Sequence, residues 1–125
     1  VLSPAKIVTD MNNSISDNNE SNMFVTLIVG ILDLETGKLK LCNAGHNPPI
    51  LIRPDGQVSF LEFKTQIFVG VIEEFAYTED ETTLEKGSKL FLYTDGVTEA
   101  ENTEKELYGD EKLLKTLSDN NTLMV

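Results

Sequence analysis

A single cysteine, Cys42, leaves this chain without the means to close an internal disulfide. That absence suits a reducing cytoplasm, and a cytoplasmic protein is the expectation. Histidine is equally scarce: His46 stands alone, with no second histidine or paired cysteine to build a metal site around it. No apolar run approaches the roughly 20 residues that a membrane-spanning helix needs. The opening residues Val1-Leu2-Ser3-Pro4 lack the basic and apolar regions of a signal peptide. They also lack an initiator Met, so the natural N-terminus is expected elsewhere. Basic residues are outnumbered, 10 against 21 acidic, for a formal net charge of -11. Such a surface repels phosphate backbones and anionic lipid, so neither nucleic acid nor membrane is an expected partner. A cation-requiring site fits the charge, and solubility alone also explains it. Missing too are a G-x-S-x-G elbow, a phosphate-binding loop and a dinucleotide fingerprint, which removes three common catalytic frameworks.

What remains is enough for one core: 125 residues, 40% of them hydrophobic and 7% aromatic. Ser3-Pro4 is a helix-start signal, a hydroxyl cap followed by a ring with helical φ. Ile7, Met11 and Ile15, with Val8 beside them, predict one apolar stripe. The polar run Ser16 to Asn22 ends that helix. Met23 to Leu34 is almost wholly apolar, which predicts a strand covered on both faces. Glu35-Thr36-Gly37-Lys38 turns it into a second strand, Lys38 to Asn43. Ile50-Leu51-Ile52 and Val58 to Leu61 flank Pro54-Asp55-Gly56, a second hairpin. Tyr77 to Leu84 alternates weakly, and Lys89 to Thr94 is a short apolar strand. Asp110 caps a short helix ending near Leu117, and Thr122 to Val125 reads as a last strand. The pattern predicts an α+β layered domain.

Two carboxylates are candidate ligands. In Tyr93-Thr94-Asp95-Gly96, Asp95 ends a buried strand, and the glycine after it leaves room for a cation and its water shell. Asp-Gly is also a common hairpin turn, but Val97 to Glu106 offers no alternating second arm. In Ser118-Asp119-Asn120-Asn121-Thr122, Asp119 opens the last strand, although Asp-Asn-Asn also reads as a plain loop. If the two strands are antiparallel neighbours, Asp95 and Asp119 meet at one rim. His46, in Gly-His-Asn-Pro-Pro, and Cys42 both read as structural.

Four motifs in order carry a family resemblance: Met23-Phe24-Val25-Thr26-Leu27, Leu32-Asp33-Leu34-Glu35-Thr36-Gly37, Asn43-Ala44-Gly45-His46-Asn47-Pro48-Pro49, and Leu92-Tyr93-Thr94-Asp95-Gly96-Val97-Thr98-Glu99-Ala100. They resemble the phosphatase domain of stage II sporulation protein E and of the sigma-regulator phosphatases, a branch of the PPM (type 2C) superfamily. The resemblance implies a β-sandwich of two antiparallel sheets flanked by helices, with a two-metal Mn²⁺ or Mg²⁺ centre. It makes Asp95 and Asp119 metal ligands, and the nucleophile a metal-activated water with no catalytic side chain. It implies a serine/threonine phosphatase acting on a phosphorylated signalling protein, in this family an anti-sigma-factor antagonist. The alternative is a catalytically degenerate member that acts as a binding module. Two departures from the family pattern follow. Its earlier Asp-x-x-Gly ligand segment is not matched here, so residues 1–125 read as a partial domain. The Leu117 to Asp119 connection is too short to return a helix to the metal end, which predicts a break between Leu117 and Ser118.

Overall fold

Helix α1, Pro4–Ser16, starts at the signal just described: the Ser3 hydroxyl accepts a hydrogen bond from the Lys6 amide at 3.2 Å, and Pro4 occupies the first turn. A second contact reinforces this start. The Glu79 carboxylate accepts from the Ser3 hydroxyl at 2.5 Å and from the Ala5 amide at 3.1 Å. These bonds, the Ser3 hydroxyl first, hold Glu79 below its ordinary carboxylate value. A depressed carboxyl stabilises the fold above its unfolded-state value and loses that contribution as pH falls through its folded one. Glu79→Gln is therefore expected to lower the melting temperature near neutral pH. The gap to the parent should close as pH drops from about 7 to about 3, which thermal melts at several pH values will show.

The computed structural model describes residues 2–17, 19–20 and 22–120. They divide into two units, each discontinuous in sequence: Val1–His46 with Phe63–Leu84, and Asn47–Glu62 with Glu85–Val125.

In the first unit, β1 (Leu27–Leu32) pairs antiparallel with β2 (Lys38–Ala44), Leu27 opposite Ala44 and Leu32 opposite Leu39. The turn between them is fixed by Asp33, whose carboxylate accepts from the Glu35 and Thr36 amides at 2.9 and 3.3 Å. The other side of β2 is shared. β5 (Thr65–Gln66) runs parallel to its end, and β6 (Asp80–Thr83) runs antiparallel to its start. One pairing is thus parallel, where two wholly antiparallel sheets were expected. The apolar segment Met23 to Leu34 is also not covered on both faces. Met23 is 66% exposed and Leu34 89%, and strand geometry is confined to β1, with Val25 making a single bridge to Val69. The core is Val8, Cys42, Ala44, Val69 and Tyr77, ringed by Ile15, Leu27, Val29, Ile67 and Phe75. Burial pushes the Cys42 thiol up to about 11, so it is an inert packing group and not a nucleophile.

The buried stripe of α1 is not the one its apolar spacing predicts. Pro4, Val8, Asn12 and Ser16 are buried, whereas Met11 is 39% exposed. The two polar members are buried because they are satisfied. Asn12 donates to the Ile72 carbonyl and accepts from the Gly70 amide, both at 2.8 Å, and the Ser16 hydroxyl donates to it at 3.3 Å.

In the second unit, β3 (Ile50–Ile52) is the centre of a three-stranded antiparallel sheet, between β4 (Val58–Phe60) and β7 (Lys89–Phe91). Its three residues are all buried. The one-turn helix α2 (Asp95–Thr98) follows β7, and α3 (Gly109–Asn120) packs Leu113, with Leu114 and Leu117, against Ile50 and Tyr93. α3 runs without interruption through Leu117 and Ser118, so the expected break is not there. The predicted last strand, residues 122–125, lies outside the described residues.

Candidate metal site

Asp95 takes its position from what precedes it. β7 ends at Phe91, and Tyr93, 6% exposed, anchors the chain in the second unit's core beside Ile50. Thr94 is extended, and at Asp95 the backbone turns into α2, with the Thr94 carbonyl accepting the Val97 amide at 3.0 Å and the Asp95 carbonyl accepting the Glu99 amide at 2.8 Å. The Asp-Gly pair therefore opens a helical turn and is not the tip of a strand hairpin. The Asp95 carboxylate is exposed, and its Oδ1 accepts from Asn47 Nδ2 at 2.8 Å. Burial pushes the Tyr93 phenol up, and the charges of Asp110 and Asp95 push it further. Asp110, in the first turn of α3, is thus electrostatically within reach of the same side chain as Asp95.

Asp119 is placed differently from its expectation. It sits in the last turn of α3 and opens no strand. Nine residues beyond Asp110, it is about 13 Å further along the helix axis. Its Oδ2 lies 3.7 Å from Lys115 Nζ, an exposed pair one turn apart. The antiparallel neighbour that was to bring Asp119 beside Asp95 is not among the described strands.

His46 is tied to Asn43 through its backbone. Its amide donates to Asn43 Oδ1 at 2.8 Å, and its carbonyl accepts from Asn43 Nδ2 at 3.0 Å. Sequence reasoning missed Asn47 and Asp110. Asn47 followed by two prolines signals only a stiff loop, and Asp110 reads as a helix cap.

Hard divalent cations take six or more oxygen donors, carboxylates foremost. Asp95 fits as one such donor: it is a carboxylate at the start of α2, open to solvent, with one oxygen oriented by a neutral amide. Among the described residues no group of three or more His, Cys, Asp or Glu is arranged to hold a metal ion.

The sequence matches the family model described as Stage II sporulation protein E (SpoIIE) over residues 1–124. The chain belongs to this family, whose members are PPM-type phosphatase domains dependent on metal. It is 34% identical over 105 residues to Protein IcfG of Synechocystis sp. (strain ATCC 27184 / PCC 6803 / Kazusa), covering 84% of this chain and 16% of that protein. It is 26% identical over 99 residues to Phosphoserine phosphatase RsbU of Bacillus subtilis (strain 168), covering 78% of this chain and 29% of that one. The chain thus spans less than a third of the curated relatives it matches. Among solved structures, the SiaA-PP2C domain of Pseudomonas aeruginosa superposes with a TM-score of 0.75 at 19% identity, over 94% of this chain and 46% of that one. The fold is that of a PP2C-type domain, α+β with two sheets.

Proposed function

We propose that the protein carrying this chain is a metal-dependent phosphatase that hydrolyses phosphoserine or phosphothreonine on a signalling partner. The partner class is an anti-sigma-factor antagonist, and the setting is cytoplasmic. The observation that carries this is the placement of Asp95, an oriented carboxylate between a buried tyrosine and a helical turn, in a chain that matches its family over residues 1–124. Asp95 is the proposed ligand in the second unit. Asp119 is proposed beside it on its Asp-Asn-Asn-Thr motif alone. Residues 1–125 are read as part of the domain, and a bridging ligand would come from an Asp-x-x-Gly segment that this sequence does not contain. A divalent ion, Mn²⁺ or Mg²⁺, lowers the pKa of a bound water and offsets charge on the phosphate oxygens. The chain's own part is to present the Asp95 carboxylate and to back it with buried Tyr93. The net charge of -11 supports a protein partner over nucleic acid or anionic membrane. No described helix is long and apolar enough to cross a membrane.

A second reading has its own support: a catalytically degenerate binding module is favoured by the lack of a three-ligand group among the described residues. One assay separates the two. The full protein is incubated with a phosphoserine peptide and Mn²⁺, with and without a chelator. Phosphate release that the chelator abolishes is the expected result. No release at any Mn²⁺ concentration would leave the binding module.

A further inference from the structure

The loop Asn43-Ala44-Gly45-His46-Asn47-Pro48-Pro49 is built to be stiff on both sides of Asn47. On one side, the buried Asn43 amide is bonded at both ends to the backbone of His46, at 2.8 and 3.0 Å. Gly45 has φ +72°, and a Cβ there would fall 2.9 Å from Phe68 Cβ, so the turn depends on glycine. On the other side, two prolines fix φ. Pro49 is fully buried, and its carbonyl accepts the Leu61 amide at 2.8 Å. Within the second unit the Asn47 side chain delivers one N–H to Asp95 Oδ1 at 2.8 Å.

We infer that Asn47 is a positioning residue, whose amide fixes the rotation of the Asp95 carboxylate and so sets the direction in which that carboxylate meets a cation. Asp95 needs such a partner. Its side chain is exposed on a helix of one turn, and the Asn47 amide is bonded to its Oδ1. A neutral amide suits the task better than a lysine or arginine. It occupies one lone pair and leaves the carboxylate's full charge for the cation, whereas a basic side chain would compete with it. Outer partners that orient a ligand in this way typically change metal affinity by about 10- to 100-fold.

The inference rests on Asp95 being a metal ligand, and the test keeps the two claims apart. Mn²⁺ affinity is measured by titration calorimetry on the full protein, alongside the KM for phosphopeptide at saturating Mn²⁺ and the melting temperature. Asn47→Ala is expected to weaken Mn²⁺ binding about 10-fold or more, with KM unchanged and the melting temperature within about 2 °C. Unchanged Mn²⁺ affinity overturns the inference, and so does a fall in melting temperature alone, which is what a merely structural tie between loop and helix would give. If Asn47→Ala folds poorly, Asn47→Gln carries the same test, since it moves the donor by one methylene. Its Mn²⁺ affinity should fall several-fold, and unchanged affinity overturns the inference again. Asp95→Asn marks the other failure. If that variant binds Mn²⁺ like the parent, the ligand assignment itself falls. If it loses affinity while Asn47→Ala does not, only the role of Asn47 is lost.

Discussion

Asp95→Asn is expected to cut Mn²⁺-supported turnover of the full protein by at least about 100-fold, with the melting temperature within about 2 °C of the parent. The size follows from the chemistry. A metal's stabilisation of transition-state charge is worth several kcal/mol, and each ~1.4 kcal/mol is tenfold in rate. An amide in place of the carboxylate removes the negative charge that holds the cation. The stability half of the result follows from position. Asp95 is exposed, and its hydrogen bond to Asn47 lies at the surface, so its loss costs the fold little. Turnover is measured over a range of Mn²⁺ up to saturation. A variant that matches the parent at saturating Mn²⁺ would remove Asp95 from the mechanism.

Asn12→Ala should produce the largest loss of stability of any single substitution on α1, about 3 kcal/mol. Asn12 is fully buried and bonds the Ile72 carbonyl, the Gly70 amide and the Ser16 hydroxyl. Alanine leaves two backbone groups and a hydroxyl without partners in a dry site, at roughly 1–3 kcal/mol each before relaxation and water entry. For a domain of this size the loss corresponds to a fall of about 10 °C in melting temperature. Thermal unfolding followed by circular dichroism checks it, with Met11→Ala as the control. Met11 is on the exposed side of the same helix and should shift the transition little. Equal effects from the two would mean that the buried face of α1 has been misassigned.

That helix shows where sequence reasoning stops. Its start was legible because Ser3 and Pro4 act on atoms within one turn. Its buried face was not, because Asn12 and Ser16 look like a solvent face until Gly70 and Ile72, nearly sixty residues away, supply their partners. The two hairpins were legible for the same local reason: Asp33 and Asp55 cap their own turns, by bonds to residues two and three positions on. β6 falls inside the weakly alternating Tyr77 to Leu84. β5 has no such signal: it is two residues long and exists through pairing with β2 across a long sequence separation. At the candidate site, Asp95 was found because a carboxylate and a glycine follow an apolar run. Asn47 was not, because an asparagine before two prolines says nothing of a partner 48 residues on. Asp119 was assigned from Asp-Asn-Asn as a break, but Leu113, Leu114 and Leu117 give α3 enough apolar contact to carry the helix through Ser118 and Asp119. The opposing Lys115 one turn back also suits a helix.

Both units are assembled from two stretches of chain, and this sets the order in which a ribosome can finish them. Val1–His46 emerges before β5, β6 and the Gly70 to Tyr77 segment that α1 clamps. The β3–β4 hairpin comes next and must wait for β7 and α3. The first unit can close only once Leu84 has cleared the exit tunnel, and the second only once α3 has followed. Until then Val8, Ile50 and their neighbours have no complete core to enter, so each unit keeps apolar surface exposed until its second stretch has been made.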